Sequence, residues 1–147
     1  MTEIIDYEEM DFPPDIKKTK QREEMFRILL QASEPMTAQE IYMCLINRMK
    51  KNNFAISTVY RGLTVFEEKG YVEKTTLIGE DLSYYEWVKG RHRHYAVCMK
   101  CRRMIPLKFC PFYQHSFDQE KIEIEEEGFQ VSGHRMEIYG FCRNCRE

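Results

Sequence analysis

The chain has 147 residues, a formal net charge of −2 and 43% hydrophobic residues, which suits one ordinary domain or two small ones. No apolar run approaches the roughly 20 residues of a membrane span, and residues 1–16 are acidic and have no apolar signal core. We therefore expect a cytoplasmic protein with no membrane partner. In a reducing compartment, paired cysteines favour a metal site over a disulfide.

The charge is distributed unevenly along the chain. Residues 1–16 carry six acids and no base, whereas residues 17–72 carry ten Lys/Arg against six Asp/Glu, a net charge of 10 − 6 = +4. A mildly basic segment behind an acidic leader permits nucleic-acid binding without demanding it. A solvated surface is the equal alternative.

Three helices are predicted in the N-terminal half. The first helix is predicted from Lys17 onward, because Met25, Ile28, Leu29 and Ala32 place apolar side chains at spacings of three and four. Thr37 and Glu40 form a capping box, which starts the second helix. Ser57 is the predicted N-cap of the third helix, and Gly70 is its predicted C-terminal stop.

Two β-rich runs follow these helices, over residues 71–78 and 82–88, and the sequence Gly-Glu-Asp between them predicts a hairpin turn. Three helices and a hairpin in this order indicate a winged helix. In that arrangement the third helix enters the DNA major groove and the hairpin lies against the backbone.

The C-terminal half has a different character. Short apolar runs predict strands, and one longer segment predicts a helix that Gly128 ends. The predicted strands are residues 95–98, 104–109, 129–131 and 134–141, and the predicted helix is 112–127.

Two Cys-x-x-Cys pairs carry the strongest functional signal. They are Cys98 with Cys101 and Cys142 with Cys145. Four thiolates saturate a tetrahedral Zn²⁺ ion and leave no open position for catalysis, so the pairs predict a structural zinc site. The 40 residues between the pairs mean that this site ties the first strand of the C-terminal half to its last strand.

Two histidines stand at alternate positions just before the first cysteine pair. Alternate residues of an extended segment point the same way, so His92 and His94 can reach one ion. Glu86 lies six residues before His92. Two imidazoles and a carboxylate form an incomplete shell for a borderline ion such as Zn²⁺, Fe²⁺ or Mn²⁺. The alternative is a pair of exposed histidines in a basic loop with Arg91 and Arg93.

These motifs, in this order, resemble the ferric uptake regulator family, whose members are dimeric, metal-responsive bacterial repressors. Residues 57–63 read STVYRGL, and a hairpin, His-x-His, Cys-x-x-Cys and GHRMEIYGFC at residues 133–142 follow. The resemblance covers about residues 17–146. It implies an α+β chain with two domains: a winged-helix DNA-binding domain over 1–86, with an acidic leader over 1–16, and a small α/β dimerisation domain over 87–147 that is stapled by the four-cysteine zinc site.

The resemblance also implies a regulatory metal site on Glu86, His92 and His94 at the hinge. Iron and peroxide sensors take a fourth ligand from a histidine before the second helix, and this chain has none there; Glu34 is the substitute. Zinc sensors use an acidic residue after the third helix, and Glu73 matches that position. The missing histidine, together with Phe109-Cys110-Pro111 after the first cysteine pair, makes the chain look most like the zinc-responsive branch. Zn²⁺ is therefore favoured over Fe²⁺ or Mn²⁺ as the regulatory ion.

The remaining histidines and cysteines receive weaker interpretations. Some family members carry a further metal site that uses a late histidine, and His134 matches it, but the chain lacks that site's other ligands. His134 is therefore interpreted as a structural strand residue. His115 and Cys110 receive no role, and Cys44 is interpreted as a core residue.

DNA contacts are predicted on the third helix and near the first. Tyr60 and Arg61 stand early in the third helix, where Arg can bond guanine and the Tyr ring can pack on a thymine methyl. The resemblance implies that Lys17 reaches the minor groove, with an ordinary phosphate contact or a solvated lysine as the equal alternative. Phosphate contacts are expected from Arg22, Ser57 and Thr58.

Together these features predict a metal-dependent repressor that binds a double-stranded DNA operator as a homodimer and controls metal-uptake genes. An iron- or manganese-dependent iron or peroxide sensor of the same family is the first alternative. A zinc-stapled protein-interaction module is the alternative from another class. An enzyme with a small-molecule substrate is disfavoured, because the chain has no helical His-Glu-x-x-His and no evident general base.

Overall fold

The computed structural model describes residues 10–50, 54–89, 93–108, 110, 123–131 and 133–146. Two compact units make up the chain, Met1–Arg91 and His92–Glu147. The fold is α+β: helices and one sheet form the described part of the first unit, and the described part of the other contains a second sheet and a helical turn over residues 123–126. Within the described ranges, no helix is both long and apolar enough to cross a membrane.

The first unit is a winged helix. Its β3 strand (Ser83–Trp87) is central and pairs antiparallel with β2 (Val72–Thr76) and with β1 (Met36–Thr37). The predicted hairpin is confirmed as the β2–β3 pair, and the short strand β1, which no sequence pattern indicated, pairs its Met36 with Tyr85. The elements are α1 (Lys20–Gln31), β1 (Met36–Thr37), α2 (Ala38–Met49), α3 (Ile56–Glu68), β2 (Val72–Thr76) and β3 (Ser83–Trp87).

The helix starts follow local hydrogen bonding. Thr37 caps α2 as predicted, because its Oγ1 accepts a backbone N–H at 3.1 Å. The first helix begins three residues later than predicted, after its N-cap Thr19. The predicted cap of α3 is wrong: the N-cap is Ala55, whose carbonyl accepts the N–H of Thr58 at 3.0 Å, and Ser57 lies inside the helix.

An aromatic cluster around Trp87 holds the wing against the helices. Trp87 is fully buried, and its ring centroid lies 5.0 Å from that of Phe26 in α1 and 5.5 Å from that of Phe66 in α3. Tyr71 stacks on it at 5.3 Å. Because Trp87 is the last residue of β3, this packing fixes the end of the strand from which the chain leaves the unit.

The second unit is organised on a sheet with the order β5-β4-β6. Its strands are β4 (Tyr95–Cys98), β5 (Met104–Pro106) and β6 (Glu137–Gly140). β4 pairs antiparallel with β5 and parallel with β6. The observed β5 and β6 are shorter than predicted, because each extends only as far as its pairing with the four-residue β4.

Two other predictions for this unit fare differently. The strand predicted over residues 129–131 is wrong, since those residues pair with no strand. The predicted helix over 112–127 lies mostly outside the described residues. Of its described part, residues 123–127, the first four are helical and the last is a turn. Gly128 follows with φ of +86°, which a glycine adopts without strain.

Candidate metal centres and nucleic-acid interface

The sheet of the second unit has two ends at which side chains from distant segments meet. β4 and β6 run in one direction and β5 runs in the other. The starts of β4 and β6 therefore lie at the same end of the sheet as the finish of β5. The opposite end collects the finishes of β4 and β6 and the start of β5.

Four cysteines meet at this opposite end. Cys98 is the last residue of β4, Cys101 lies in the turn to β5, and Cys142 and Cys145 follow β6. Their sulfurs all lie within 4.8 Å of one another, and Sγ of Cys101 is 3.7 Å from Sγ of Cys142. The structure thus brings together the two pairs that the sequence singled out. Four thiolates are the donor set of a closed structural zinc site, so the residues fit that ion.

Hydrogen bonds around these cysteines shift the pKa values of two of the thiols. The N–H of Cys142 donates to Sγ of Cys98 at 3.4 Å, and this backbone donor, with others, lowers the pKa of Cys98 to about 6. Hydrogen bonding to the Cys142 side chain raises the pKa of Cys145 to about 12. Four adjacent sulfurs cannot all ionise without a compensating cation. Binding of a divalent ion is what would hold all four as thiolates.

A second cluster lies at the other end of the same sheet. His94 directly precedes β4, Cys110 follows β5, and His134 precedes β6. Nε2 of His94 is 3.0 Å from Nε2 of His134 and 3.2 Å from Sγ of Cys110. The third side of the triangle, from Cys110 Sγ to His134 Nε2, is also 3.2 Å. His94 is 4% exposed, and the other two residues are half-buried.

The geometry of this triangle fits a metal ion. Two imidazole Nε2 atoms 3.0 Å apart need a proton or a cation between them, since each is an acceptor when its ring is protonated on Nδ1. Donor separations of 3.0–3.2 Å are close to those of atoms that share one ion with bonds of about 2.0–2.3 Å. The backbone carbonyl of His94 accepts the N–H of Leu107 at 2.8 Å, which anchors the cluster to the sheet.

Only His94 of this cluster was predicted from the sequence to be a metal ligand. The interpretation of His134 as a strand residue is wrong, because β6 begins three residues later, at Glu137, and the ring of His134 lies against His94 and Cys110. Cys110 had no assigned role. Each of the three residues lies just outside the end of a strand, and this position could have indicated the cluster. The position is informative only once the parallel pairing of β4 and β6 is known. His92 lies outside the described residues, so its part in a metal site stays a prediction.

Two acidic candidates lie opposite each other in the wing. Glu73 of β2 and Glu86 of β3 are register partners, and both are half-buried. Side chains directly opposite in an antiparallel pair share one face of the sheet, and like charges there repel. The role of these residues, and of Glu34 after α1, in a regulatory site stays a prediction.

The predicted DNA-contacting residues share the exposed side of α3. The buried residues of this helix are Val59, Gly62, Leu63 and Phe66. Ser57, Tyr60 and Arg61 are exposed and repeat at the three- and four-residue spacing of one helix face. Tyr60 is 49% exposed, and Nη2 of Arg61 donates to Oγ1 of Thr58 at 3.4 Å.

The two basic candidates before and within α1 are also adjacent. Lys17 is exposed, and its carbonyl accepts a hydrogen bond from Nη1 of Arg22 at 3.1 Å. This contact orients the Arg22 guanidinium toward the start of α1. The arrangement suits phosphate contacts, which position a protein on DNA without reading its sequence.

Comparisons with known proteins agree with this architecture. The sequence profile of the ferric uptake regulator family matches residues 14–139. A peroxide operon regulator from Bacillus subtilis (strain 168) is 33% identical over 131 residues, which cover 88% of this chain and 84% of that protein. A peroxide-responsive repressor, PerR, from Staphylococcus epidermidis is 32% identical over an alignment of 151 positions, which covers 99% of this chain and 95% of that protein.

A solved structure shows the same fold. The ferric uptake regulator from Francisella tularensis, determined with iron, superposes with a TM-score of 0.73 at 23% identity, covering 94% of this chain and all of that chain. The curated relatives named above are peroxide regulators, so the predicted likeness to the zinc-responsive branch gains no support from them. The chain belongs to the ferric uptake regulator family of metal-responsive transcriptional regulators.

Proposed function

We propose that this chain is a homodimeric repressor that binds a double-stranded DNA operator when a divalent metal ion is held by His94, Cys110 and His134. One observation carries the proposal: donor atoms from three separate segments converge to within 3.0–3.2 Å. His94 lies two residues after the second unit begins at His92, so an ion held there acts next to the chain segment that joins the units.

The exposed side of α3 supports DNA binding. Ser57, Tyr60 and Arg61 are available to a groove, whereas the opposite side of the helix is packed in the core. Arg61 is suited to read a guanine edge, and Tyr60 to contact a thymine methyl. Lys17, Arg22 and Thr58 are the proposed additional contacts, most of them to phosphates.

An apolar row on the second sheet supports the homodimer. Ala96 of β4 is the register partner of both Ile105 in β5 and Ile138 in β6, so the three side chains lie in a row on one face. Ile105 is 41% exposed and Ile138 is 49% exposed. A second copy of this chain is the proposed occupant of that face, because two winged helices held together can bind two operator half-sites.

Regulation follows from linkage between metal binding and DNA binding. If the arrangement of units that fits the operator also presents the more complete set of metal ligands, metal shifts the population toward that arrangement. His94, Cys110 and His134 form the core of that set, and Glu73, Glu86 and His92 are the proposed further ligands. Zn²⁺ is the proposed regulatory ion, ahead of Fe²⁺ and Mn²⁺, and metal-uptake genes are the proposed targets.

The test is a double variant, His94→Ala with His134→Ala. We expect it to keep its circular dichroism spectrum and the zinc of the four cysteines, but to lose metal-dependent DNA binding. DNA affinity is measured on duplexes that the metal-loaded wild type selects from a random library, with and without chelator. Chelation should weaken the wild type by at least about tenfold, within the usual range of allosteric couplings, and should leave the double variant unchanged. A double variant that still responds to added metal would refute the proposed site.

A peroxide-responsive repressor is the second candidate function, because the relatives at 33% and 32% identity are named a peroxide operon regulator and a peroxide-responsive repressor. It predicts that peroxide releases DNA from the iron-loaded protein with oxidation of a ligand histidine. Mass spectrometry of the peptides that contain His94 and His134 after peroxide treatment distinguishes the two candidates. Metal-dependent DNA binding, whether or not it responds to peroxide, would exclude a protein-interaction module with no DNA partner.

A further inference from the structure

We infer that Cys110 sets the metal preference of the second cluster, and that its thiolate favours Zn²⁺ over Mn²⁺ and Fe²⁺. The inference rests on the proposed function, since it names the residue that decides which ion the sensing cluster takes. The likeness to peroxide regulators does not supply it. It follows from the presence of a sulfur donor among the three converging atoms.

The position of Cys110 separates it from the other cysteines. Its Sγ is 3.2 Å from Nε2 of both His94 and His134, at the end of the sheet opposite the four-cysteine site. The cluster is thus one thiol among two imidazoles, and all three are buried or half-buried. Cys44, the remaining cysteine, is half-buried on α2 of the first unit and packs against its core.

Donor chemistry then decides between ions. Thiolate is a soft ligand that suits Zn²⁺, imidazole suits Zn²⁺ and Fe²⁺, and Mn²⁺ is best held by carboxylate, carbonyl and water oxygens. Zn²⁺ also stands above Mn²⁺ and Fe²⁺ in the general affinity order for nitrogen, oxygen and sulfur sites. A sulfur ligand widens that difference, whereas a carboxylate at the same position narrows it. Replacing Cys110 with Asp should therefore move the cluster toward Mn²⁺.

The choice of ion has a consequence for redox chemistry. Zn²⁺ has no accessible second oxidation state. A cluster filled with Zn²⁺ therefore does not reduce peroxide at its metal, whereas one filled with Fe²⁺ can. Cys110 thus favours a metal-supply sensor over a sensor in which bound iron reacts with peroxide.

Cobalt provides a direct test. Protein whose four-cysteine site already holds Zn²⁺ is titrated with Co²⁺, and the thiolate-to-cobalt charge-transfer band in the near ultraviolet is followed. We expect the wild type to develop this band together with the visible bands of bound Co²⁺. Cys110→Asp should keep bound Co²⁺ but lose the charge-transfer band. The matched control, Cys44→Ser, should behave as the wild type.

Competition between Zn²⁺ and Mn²⁺ then measures selectivity. The ratio of the two affinities should fall by at least about tenfold in Cys110→Asp, the lower end of the losses seen when metal-site residues are changed. A wild-type cobalt spectrum without a thiolate band, or a Cys110→Asp protein with an unchanged Zn²⁺/Mn²⁺ ratio, would overturn the inference. The wild-type spectrum decides the matter even if the variant folds poorly. Metal-dependent DNA binding of the untreated wild type is recorded in parallel, so failure of the proposed function is seen separately.

Discussion

Arg61 and its neighbour Tyr60 lie on the exposed side of α3, whereas the opposite side of the helix packs in the core. Both are exposed on α3, whereas Val59 and Leu63 on the other side are 0% and 1% exposed. The contact from the Arg61 guanidinium to Oγ1 of Thr58, at 3.4 Å, is long, so little stability depends on it. Substitution of Arg61 should therefore affect DNA binding much more than folding.

We predict that Arg61→Ala weakens binding to the selected operator by about 1–3 kcal/mol and relaxes the preference at one base position, as expected for a base-reading arginine. Arg27→Ala is the matched control, because Arg27 is an exposed arginine of α1 that pairs with Glu23 at 3.3 Å. Titrations of labelled duplexes over a range of salt concentrations provide the measurement. A loss of affinity that is equal for every sequence would instead assign Arg61 to a phosphate contact.

Strand β4 links the two candidate metal sites. It is flanked by His94 at its start and ends with Cys98, so the two donors are four residues, or about 13 Å, apart along one strand. β6 repeats the arrangement in parallel, with His134 before it and Cys142 after it. A unit of this size has too small a core to hold such strands alone and needs a staple. The four-cysteine site therefore positions the strands that carry the second cluster.

Cys142→Ser should accordingly weaken metal binding at the far end of the sheet as well as at its own. We expect loss of the structural zinc and at least about tenfold lower Co²⁺ affinity at the second cluster. Loss of the second cluster should weaken zinc binding at the four cysteines by the same coupling free energy, because coupling between two sites is reciprocal. Structural zinc is bound with about 10–16 kcal/mol, so the four-cysteine site should stay filled in the His94→Ala protein. Zinc content and Co²⁺ titration of both variants are the measurements. Unchanged Co²⁺ affinity in Cys142→Ser would show that the clusters are independent.

The winged helix and the four-cysteine site were predictable from local sequence. Thr37 caps α2 through a contact with a residue three positions later, and a Cys-x-x-Cys motif can be recognised from four consecutive residues. Cys110 and His134 were not predictable in the same way, because no short motif joins residues that lie 24 positions apart. They meet only because β6 pairs parallel with β4 and β5 returns antiparallel. The error at Ser57 has a local cause: several residues can cap a helix, and hydrogen bonding began at Ala55.

The molecule as a whole combines a winged-helix unit, Met1–Arg91, for which DNA binding is proposed, with a second unit that begins at His92 and holds the candidate metal sites. Reading metal supply requires that metal and DNA each strengthen the binding of the other. The proposed sensing residue His94 stands close to the joint between the units in the sequence, whereas the four cysteines lie at the far end of the sheet. In the proposed mechanism, this separation would allow one ion to remain bound for folding while another exchanges.

The most direct measurement of the central claim is a single titration with two readings. Co²⁺ is added to protein whose four-cysteine site holds Zn²⁺, in the presence of labelled operator, and cobalt absorbance and DNA binding are recorded together. We predict that both rise in parallel and saturate at the same added amount, about one ion per chain. DNA binding that is complete before the cobalt bands appear, or that stays absent after they saturate, would contradict the assignment of His94, Cys110 and His134 as the sensing site.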